Sequence, residues 1–207
     1  NVMRTKDRII KKLITDYNPL GKVCLDLGPG SGRWLSFLKK IGPKKILSAD
    51  FDKSVMRKCS KMTDEFFLVN FEKDKFKIKN DSIDLILITE VFEHIRNYLF
   101  FLQEIIRISK NGSLIIFTMP NICSLISRIR MLFGLLPVAI ASDDTHVNFF
   151  RKKDLIRIFL KINQSLNFYN SSFSLNPLNP KSKLRIKSNN FFSNLDDSFI
   201  FTIKVKK

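Results

Sequence analysis

The residues between positions 26 and 32 combine an acid with three closely spaced glycines. Asp26 is followed by Gly28, Gly30 and Gly32 in the run DLGPGSG, and the whole chain has only seven glycines. Glycine lets the backbone turn sharply and approach a ligand without a Cβ in the way. A loop of this kind between a strand and a helix commonly binds a nucleotide-like cofactor.

The spacing of these glycines departs from the pattern that binds dinucleotides. That pattern, GxGxxG, would require a third glycine at position 33, where the chain has Arg33. The carboxylate of Asp26 would lie close to a ligand held over the loop, and a carboxylate suits a cation better than a pyrophosphate. S-adenosylmethionine fits this preference, because it carries an ammonium and a sulfonium group and no phosphate.

Further polar side chains stand near the ends of later predicted strands. Asp50 and Glu90 close the second and fourth strands, and Asn70 lies near the end of the third, at 66–71. A carboxylate at the end of the second strand can accept hydrogen bonds from both hydroxyls of a ribose. Because ligands of parallel sheets bind at the carboxyl ends of the strands, we expect these side chains to converge on one crevice.

Several segments resemble the class I S-adenosylmethionine-dependent methyltransferases. The run at 26–32 resembles their first motif, and EVFEH at 90–94 resembles the EVLEH segment of small-molecule methyltransferases, including those of quinone and surface-glycan pathways. Residues 112–121 are similar to their fifth strand, and residues 146–155 to the segment that opens their last helix. The resemblance covers residues 20–165, and the motifs occur in the order found in the family.

The resemblance implies a set of contacts with S-adenosylmethionine. The glycine loop would approach the methionine and ribose portions, Asp26 would help to hold the ammonium, and Asp50 would bind the ribose hydroxyls. Phe51 would pack on the adenine, while Asn70 and Phe71 would contact the adenine amine and face. Asparagine here keeps an acceptor oxygen but lacks the charge of the acid that the family often has. The implied cofactor-binding residues are Asp26, Gly28, Pro29, Gly30, Gly32, Asp50, Phe51, Asn70, Phe71, Glu90 and Val91, the last two at the methionine end.

The two histidines, His94 and His146, are the candidate catalytic residues. An oxygen acceptor usually needs a base to take its proton, and histidine titrates near neutral pH. The alternative for each is a structural role: His94 could bond the backbone near its loop, whereas His146 follows Asp143 and Asp144 in the expected acceptor region. Glu93 is expected to be a solvated helix residue. No zinc or catecholate-type metal constellation is visible, so the sequence predicts no metal.

The alternation of strand and helix patterns predicts the fold. Strands and helices follow one another from residue 23 onward, which is typical of a doubly wound parallel sheet. We predict an α/β, Rossmann-like, mostly parallel seven-stranded sheet with an antiparallel edge strand, in a single methyltransferase domain spanning 1–207. The final strands are expected near 165–174 and at 199–205.

Three segments lie outside this alternation. Residues 1–19 should form an amphipathic helix that caps the sheet or the crevice. Residues 121–150 should form a lid on the acceptor side, or else a surface that meets a lipid-linked substrate or a membrane face; the arginines at 128 and 130 argue against a membrane span. Residues 176–190, rich in Asn, Pro, Ser and Lys, are expected to be a long mobile loop.

The net charge of +17 at pH 7 has two interpretations. A phosphate-rich partner such as nucleic acid or anionic lipid would explain it. A lysine-rich composition spread over solvated faces would also explain it, and the occurrence of lysine in nearly every segment favours this second interpretation. The sequence has no signal-like apolar run near its start, and its scattered Cys24, Cys59 and Cys123 indicate no disulfide, so we expect a cytoplasmic protein, with peripheral membrane contact left open.

Three functions are compatible with these patterns. The favoured prediction is methyl transfer from S-adenosylmethionine to a small-molecule substrate, with an oxygen of a sugar, a glycan precursor or a related metabolite as acceptor. RNA or DNA methylation is an alternative suggested by the charge, although the fourth strand ends in TEVF (89–92) and lacks the Asn/Asp-Pro-Pro-aromatic motif of base amino-methyltransferases. A non-catalytic cofactor-binding module is a third possibility, because fold does not fix function.

Overall fold

The computed structural model describes residues 5–174, 185–187 and 193–207. Its α-helices are α1 (Thr5–Tyr17), α2 (Arg33–Ile41), α3 (Lys53–Cys59), α4 (Tyr98–Ile108), α5 (Leu125–Leu132), α6 (Val138–Ala141) and α7 (Lys152–Leu160). Its strands are β1 (Val23–Leu27), β2 (Lys45–Asp50), β3 (Glu65–Leu68), β4 (Ile83–Thr89), β5 (Ser109–Pro120), β6 (Asn167–Tyr169), β7 (Ser172–Ser174), β8 (Arg185–Lys187) and β9 (Ser198–Lys204).

Seven of the strands form one sheet in the order β3-β2-β1-β4-β5-β9-β6. Strands β1 to β5 run parallel to one another, whereas β9 is antiparallel to both of its neighbours, β5 and β6. This architecture confirms the predicted Rossmann-like, mostly parallel seven-stranded sheet. The antiparallel strand lies one position inside the edge, because the short strand β6 pairs along its outer side.

The central strand β4 indicates why helices cover both faces of the sheet. Leu85 and Leu87 pack into one buried cluster with residues of α1 and α2, whereas Ile86 and Ile88 pack into a second cluster on the other face. Successive side chains of a strand point to opposite faces, so a continuous apolar run requires cover on both sides.

Helix α1 packs against the face of the sheet that carries α2. Its Ile10 and Ile14 are fully buried, and the Tyr17 hydroxyl donates a hydrogen bond of 2.7 Å to the carbonyl of Asp84 at the start of β4. This packing agrees with the amphipathic helix predicted near the start of the sequence. It also fixes the first turn of α1, which carries Lys6 and Asp7, near the crevice.

The crevice lies where the strand order reverses. The chain runs from β1 outward to β2 and β3, and then returns to the other side of β1 with β4 and β5. In open α/β sheets the carboxyl ends of the strands flanking such a reversal form the ligand-binding crevice. The glycine loop at 28–32 leaves β1 at this edge, and the turn at 90–97 leaves β4 there.

In three segments the structure differs from the sequence prediction or describes only part of the predicted feature. Strand β3 ends at Leu68 and is therefore shorter than the predicted strand at 66–71. Within the segment predicted as a lid at 121–150, the chain forms two helices, α5 and α6. Of the loop predicted at 176–190, residues 176–184 and 188–190 lie outside the described residues, and 185–187 form β8, which pairs with β7. No helix within the described ranges is long and apolar enough to cross a bilayer.

Candidate active site

The glycine loop is packed tightly on one side and open on the other. Gly28, Gly30 and Gly32 all have positive φ angles, of 66°, 52° and 76°. A Cβ on Gly28 would lie 2.4 Å from Cγ2 of Val91, whereas a Cβ on Gly30 would have no heavy atom within 4 Å. The loop, with Pro29 between its first two glycines, therefore contacts the β4 turn closely and leaves open space at Gly30, where a ligand can approach the backbone.

Asp26 is a buried acid without a partner. Its side chain is fully buried at the end of β1, and neither carboxylate oxygen has a hydrogen-bond partner among the described residues. Burial raises the pKa of Asp26 to about 8, against the opposing effect of the Arg33 guanidinium, which is itself bonded to Asp7 at 2.8 Å. Buried polar groups are normally satisfied, so this carboxyl is suited to a cationic or hydrogen-bond-donating ligand group such as an ammonium.

Asp50 and Phe51 stand at the carboxyl end of β2. Asp50 is 7% exposed, its Oδ1 accepts a hydrogen bond of 2.9 Å from the amide of Asp52, and burial raises its pKa. The adjacent ring of Phe51 is 72% exposed, which is unusual for a large apolar side chain and leaves it available to cover a planar base. This pair thus has the chemistry expected for ribose and adenine contacts.

Phe71, for which an adenine contact is predicted, lies among aromatic residues of the core. Its side chain is 4% exposed, and its ring packs against Phe76 and Phe101 with centroid distances of 5.8 and 5.6 Å. Because β3 ends at Leu68, Phe71 lies in the turn that follows the strand, and its ring is part of the buried core. Asn70 lies in this turn, where its Oδ1 accepts a hydrogen bond of 2.9 Å from the amide of Glu72.

Glu90 follows β4 and is held by two donors. Its Oε1 accepts hydrogen bonds from Nζ of Lys6 at 3.0 Å and from the Thr118 hydroxyl at 2.7 Å. Burial alone would raise the pKa of Glu90, but Lys6 and Thr118 outweigh it and lower that pKa. Glu90 therefore presents a negative charge in the crevice. The residue also has a φ of 56°, which turns the chain sharply before Val91.

The two histidines lie together although 52 positions separate them in the sequence. Their ring centroids are 4.8 Å apart. Nδ1 of His146 lies 2.6 Å from the carbonyl oxygen of Ala139, so Nδ1 donates, and in the neutral ring Nε2 carries the lone pair. This Nε2 lies 3.9 Å from Oε1 of Glu93 and 3.8 Å from Oδ2 of Asp143.

Glu93 is buried, which overturns the expectation of a solvated helix residue. Its side chain is 2% exposed within the short turn Phe92–His94, and neither carboxylate oxygen has a hydrogen-bond partner among the described residues. Burial raises the pKa of Glu93 to about 9, and the nearby Glu90 adds to the shift. The backbone carbonyl of Glu93 accepts from the amides of Val147 and Asn148, which brings the segment that carries His146 against this turn.

Comparison with known families decides what the chain is. A family model described as a methyltransferase domain matches residues 2–166, which is most of the chain. The chain is a class I S-adenosylmethionine-dependent methyltransferase. S-adenosylmethionine is its cofactor and methyl transfer is its activity.

Solved structures share the fold of this methyltransferase over nearly its whole length. A SAM-dependent methyltransferase from Archaeoglobus fulgidus has a TM-score of 0.69 at 17% identity, covering 96% of this chain and 94% of that one. A methyltransferase from Bacillus halodurans has a TM-score of 0.67 at 11% identity, covering 95% and 99%. A Haloferax volcanii methyltransferase, solved in complex with the Trm112 methyltransferase activator, has a TM-score of 0.62 at 15% identity, covering 96% and 93%. No curated protein matches the chain.

Some polar residues of the methyltransferase crevice were not predicted as site residues. Lys6 reaches Glu90 from the first turn of α1, and the only available signal was the expectation that this helix caps the crevice. Glu93 and Asp143 flank His146, and Asp143 was expected to border the acceptor pocket. The positions of Glu93 and Asp143 relative to His146 depend on the path of the chain between α6 and α7, which no local sequence pattern specifies.

Proposed function

We propose that this methyltransferase transfers the methyl group to an oxygen of a small-molecule acceptor such as a sugar, a glycan precursor or a related metabolite. The observation that carries the proposal is the grouping of His94, His146, Glu93 and Asp143 beside Glu90. An alcohol oxygen must lose its proton as it is methylated, and this grouping offers sites that can take a proton. We call these four residues the acceptor cluster.

The cofactor would lie over the glycine loop between β1 and β4. Asp26 would bind the ammonium of the methionine portion, directly or through neighbouring amides, with the backbone of Gly28, Pro29, Gly30 and Gly32 beside it. Asp50 would accept the ribose hydroxyls and Phe51 would stack on the adenine. The unpartnered carboxyl of Asp26 and the exposed ring of Phe51 support this placement.

The chemistry asked of the protein is mainly alignment. Bound S-adenosylmethionine supplies a methyl group that is already activated on a sulfonium sulfur. The chain has to hold the acceptor oxygen in line with that methyl group and to exclude water. Glu90 and Val91 would line the methionine end, and the lid segment at 121–150 would close over the acceptor, since Val147 and Asn148 already bond the turn at Glu93.

Nε2 of His146 is the candidate proton acceptor among the residues of the cluster. The bond from its Nδ1 to the Ala139 carbonyl fixes both the tautomer and the ring orientation, which a general base requires. Nδ1 of His94 lies 3.0 Å from the Thr145 hydroxyl and 3.2 Å from the Thr145 carbonyl, so His94 would orient this segment or assist.

The test of this function is binding followed by turnover. Calorimetry should give one S-adenosylmethionine per chain, and release of S-adenosylhomocysteine should then depend on an added acceptor from a panel of sugars, nucleotide sugars and phenols. Binding of S-adenosylmethionine without methylation of any acceptor in such a panel would favour the non-catalytic module. The absence of binding would overturn the proposal.

Nucleic acid remains a second candidate acceptor because of the net charge of +17. Phosphate contacts make protein–nucleic acid affinity strongly dependent on salt. A gel shift with RNA that stays specific at physiological salt, together with methylation of that RNA, would favour this candidate over the small molecule.

The lid carries an exposed apolar surface that bears on where the acceptor is found. Its members, which we call the apolar tip, are Met131, Leu132, Phe133, Leu135 and Leu136, exposed by 43% to 84%. Arg128 and Arg130 lie on helix α5, which also carries Met131 and Leu132 of the tip. Exposed apolar side chains beside arginines, in a chain of high positive charge, suit the surface of a membrane that contains anionic lipids. We therefore propose peripheral membrane contact and a lipid-linked acceptor as the finer form of this function.

A further inference from the structure

Two imidazoles and one buried carboxylate of the acceptor cluster converge on a common point. One ligand atom from each of Glu93, His94 and His146 lies within 4.8 Å of the others. Glu93 and His94 belong to the turn that follows β4, whereas His146 comes from the segment between α6 and α7. The backbone bonds from Val147 and Asn148 to the Glu93 carbonyl hold these two segments together.

The carboxyl group of Glu93 lies at this convergence without a hydrogen-bond partner, and its nearest cationic candidate is Nε2 of His146 at 3.9 Å from Oε1. Glu93 is 2% exposed, and both of its oxygens lack a hydrogen-bond partner within the described part of the chain. A buried carboxyl group without hydrogen-bond partners is costly unless it holds a proton or meets a cation, and the buried charges found in proteins are paired or coordinate metals. The unsatisfied oxygens of Glu93 are therefore an indication, independent of the convergence itself, that a donor or a metal ion belongs at this point.

The outward hydrogen bonds of both histidines leave one nitrogen of each ring free to bind. Nδ1 of His146 bonds the carbonyl of Ala139, and Nδ1 of His94 lies against the carbonyl and hydroxyl oxygens of Thr145. Histidines that bind metals almost always donate their other ring N–H to a carbonyl or carboxylate in this way. Both rings thus present Nε2 as the candidate metal-binding atom.

We propose that Glu93, His94 and His146 bind a divalent transition-metal ion, with Zn²⁺ as the best match. Two imidazole nitrogens and a carboxylate oxygen are the ligand types that Zn²⁺ accepts, and three protein ligands leave a further position open, as in catalytic zinc sites. Oδ2 of Asp143, 3.8 Å from Nε2 of His146, is placed to bind the ion or the water that it holds. This proposal replaces the sequence prediction of no metal.

The site would act on the acceptor, and this part of the inference rests on the proposed function. A metal ion that binds a hydroxyl oxygen lowers the pKa of that hydroxyl. The O–H proton would pass to Asp143 or to water, the oxygen would form a bond to the methyl carbon, and the carbon–sulfur bond would break to leave the neutral thioether. With the ion bound, Nε2 of His146 is a ligand and no longer the base.

Metal binding can be measured without cofactor or acceptor. The full chain, free of any histidine tag and stripped with chelator, is titrated with Zn²⁺, Co²⁺ and Mg²⁺ by calorimetry, and Co²⁺ binding is also followed in the visible spectrum. We expect one Zn²⁺ per chain, competition between Zn²⁺ and Co²⁺, and little response to Mg²⁺. The absence of stoichiometric Zn²⁺ binding, or a preference for Mg²⁺, would overturn the proposal.

Variants assign the ligands. His146→Ala and Glu93→Gln should each weaken Zn²⁺ binding by about 100-fold or more, since loss even of an outer-shell partner costs roughly 10–100-fold. Cys123→Ser, which removes a partly exposed thiol outside the cluster, is the matched control and should leave binding unchanged. Unchanged affinity in both cluster variants, or loss of binding in Cys123→Ser, would contradict the assignment.

The wild-type chain supplies a measurement that needs no variant. Because it has only two histidines, its imidazole nitrogen signals in NMR report on this site alone. The imidazole nitrogen signals of His94 and of His146 should both shift on addition of Zn²⁺. Unshifted signals would overturn the proposal even if a variant failed to fold. A chain that binds Zn²⁺ but methylates no acceptor would instead contradict the proposed function.

Discussion

Asp50 tests the ribose contact at the scale of a single residue. Replacing it with alanine removes the charged acceptor at the end of β2, so Asp50→Ala should weaken S-adenosylmethionine binding by about 1–3 kcal/mol. Calorimetry measures the change, and Asp16→Ala, which removes an exposed acid paired with Lys12 on α1, is the charge-matched control. Equal affinity in wild type and Asp50→Ala would reject the ribose assignment.

Asp26 links the stability of the free protein to pH. Its pKa is raised from 3.8 to about 8 in the fold, so between these values the native state holds a proton that the unfolded chain has lost. Stability falls with rising pH wherever the native state binds more protons, so the free energy of unfolding should decline from about pH 4 to about pH 8 on account of Asp26.

The variant Asp26→Asn should flatten this decline and also weaken cofactor binding. The amide cannot ionise, so urea unfolding at about pH 5 and about pH 8 should differ less in the variant than in wild type. Some slope should persist, because burial also raises the pKa of Glu93 to about 9. An unaltered slope would mean that Asp26 is ionised in the free protein.

At the scale of elements, the contact between the glycine loop and the β4 turn sets how closely the crevice walls approach. In Gly28→Ala the new methyl group would meet Val91 Cγ2 at 2.4 Å in a residue with a φ of 66°. The clash and the strained backbone together should cost about 1–3 kcal/mol of stability, measured by urea unfolding. Gly134→Ala, with a φ of 69° and no neighbour within 4 Å, carries the backbone strain alone and should cost less.

The apolar tip, which begins in the last turn of α5, can be tested on vesicles. Leu132→Ser combined with Phe133→Ser removes the two most exposed apolar side chains of the tip, so binding to vesicles that contain phosphatidylglycerol should fall by at least about 10-fold. Leu160→Ser, exposed by 59% on α7 outside the tip, should leave vesicle binding unchanged. Equal sedimentation of the double variant and wild type with such vesicles would contradict the peripheral membrane contact.

The elements also explain which residues sequence reasoning could place. Asp26 and Asp50 end strands whose apolar runs are visible in the sequence, so their position at one edge of the sheet followed from topology. The end of β3 was misplaced because a run of aromatic and apolar residues does not show where a strand stops, and β3 ends at Leu68 rather than at position 71. The burial of Glu93 was not predicted, because the segment around His146 packs against its turn. That segment is more than 50 positions away in the sequence, so no local pattern reports the contact.

At the scale of the whole molecule, the charge bears on association with partners more than on the fold. A net charge of +17 favours encounter with anionic surfaces and substrates at low salt, and this preference weakens as salt is added. The sheet and its two buried clusters are apolar and independent of that charge. The fold class was therefore predictable from the apolar pattern, but that pattern does not specify the methyl acceptor.

Strand β9 lies in the interior of the sheet and completes it. It pairs with β5 along seven residue pairs, and its Phe201 stacks on Phe117 with centroids 5.0 Å apart. Because β9 is made after every other strand of this sheet, a chain growing on the ribosome holds an open β5 edge until residues 198–204 emerge. An open edge is a template for pairing with other chains. This strand order therefore makes aggregation during synthesis the hazard that the growing chain has to escape.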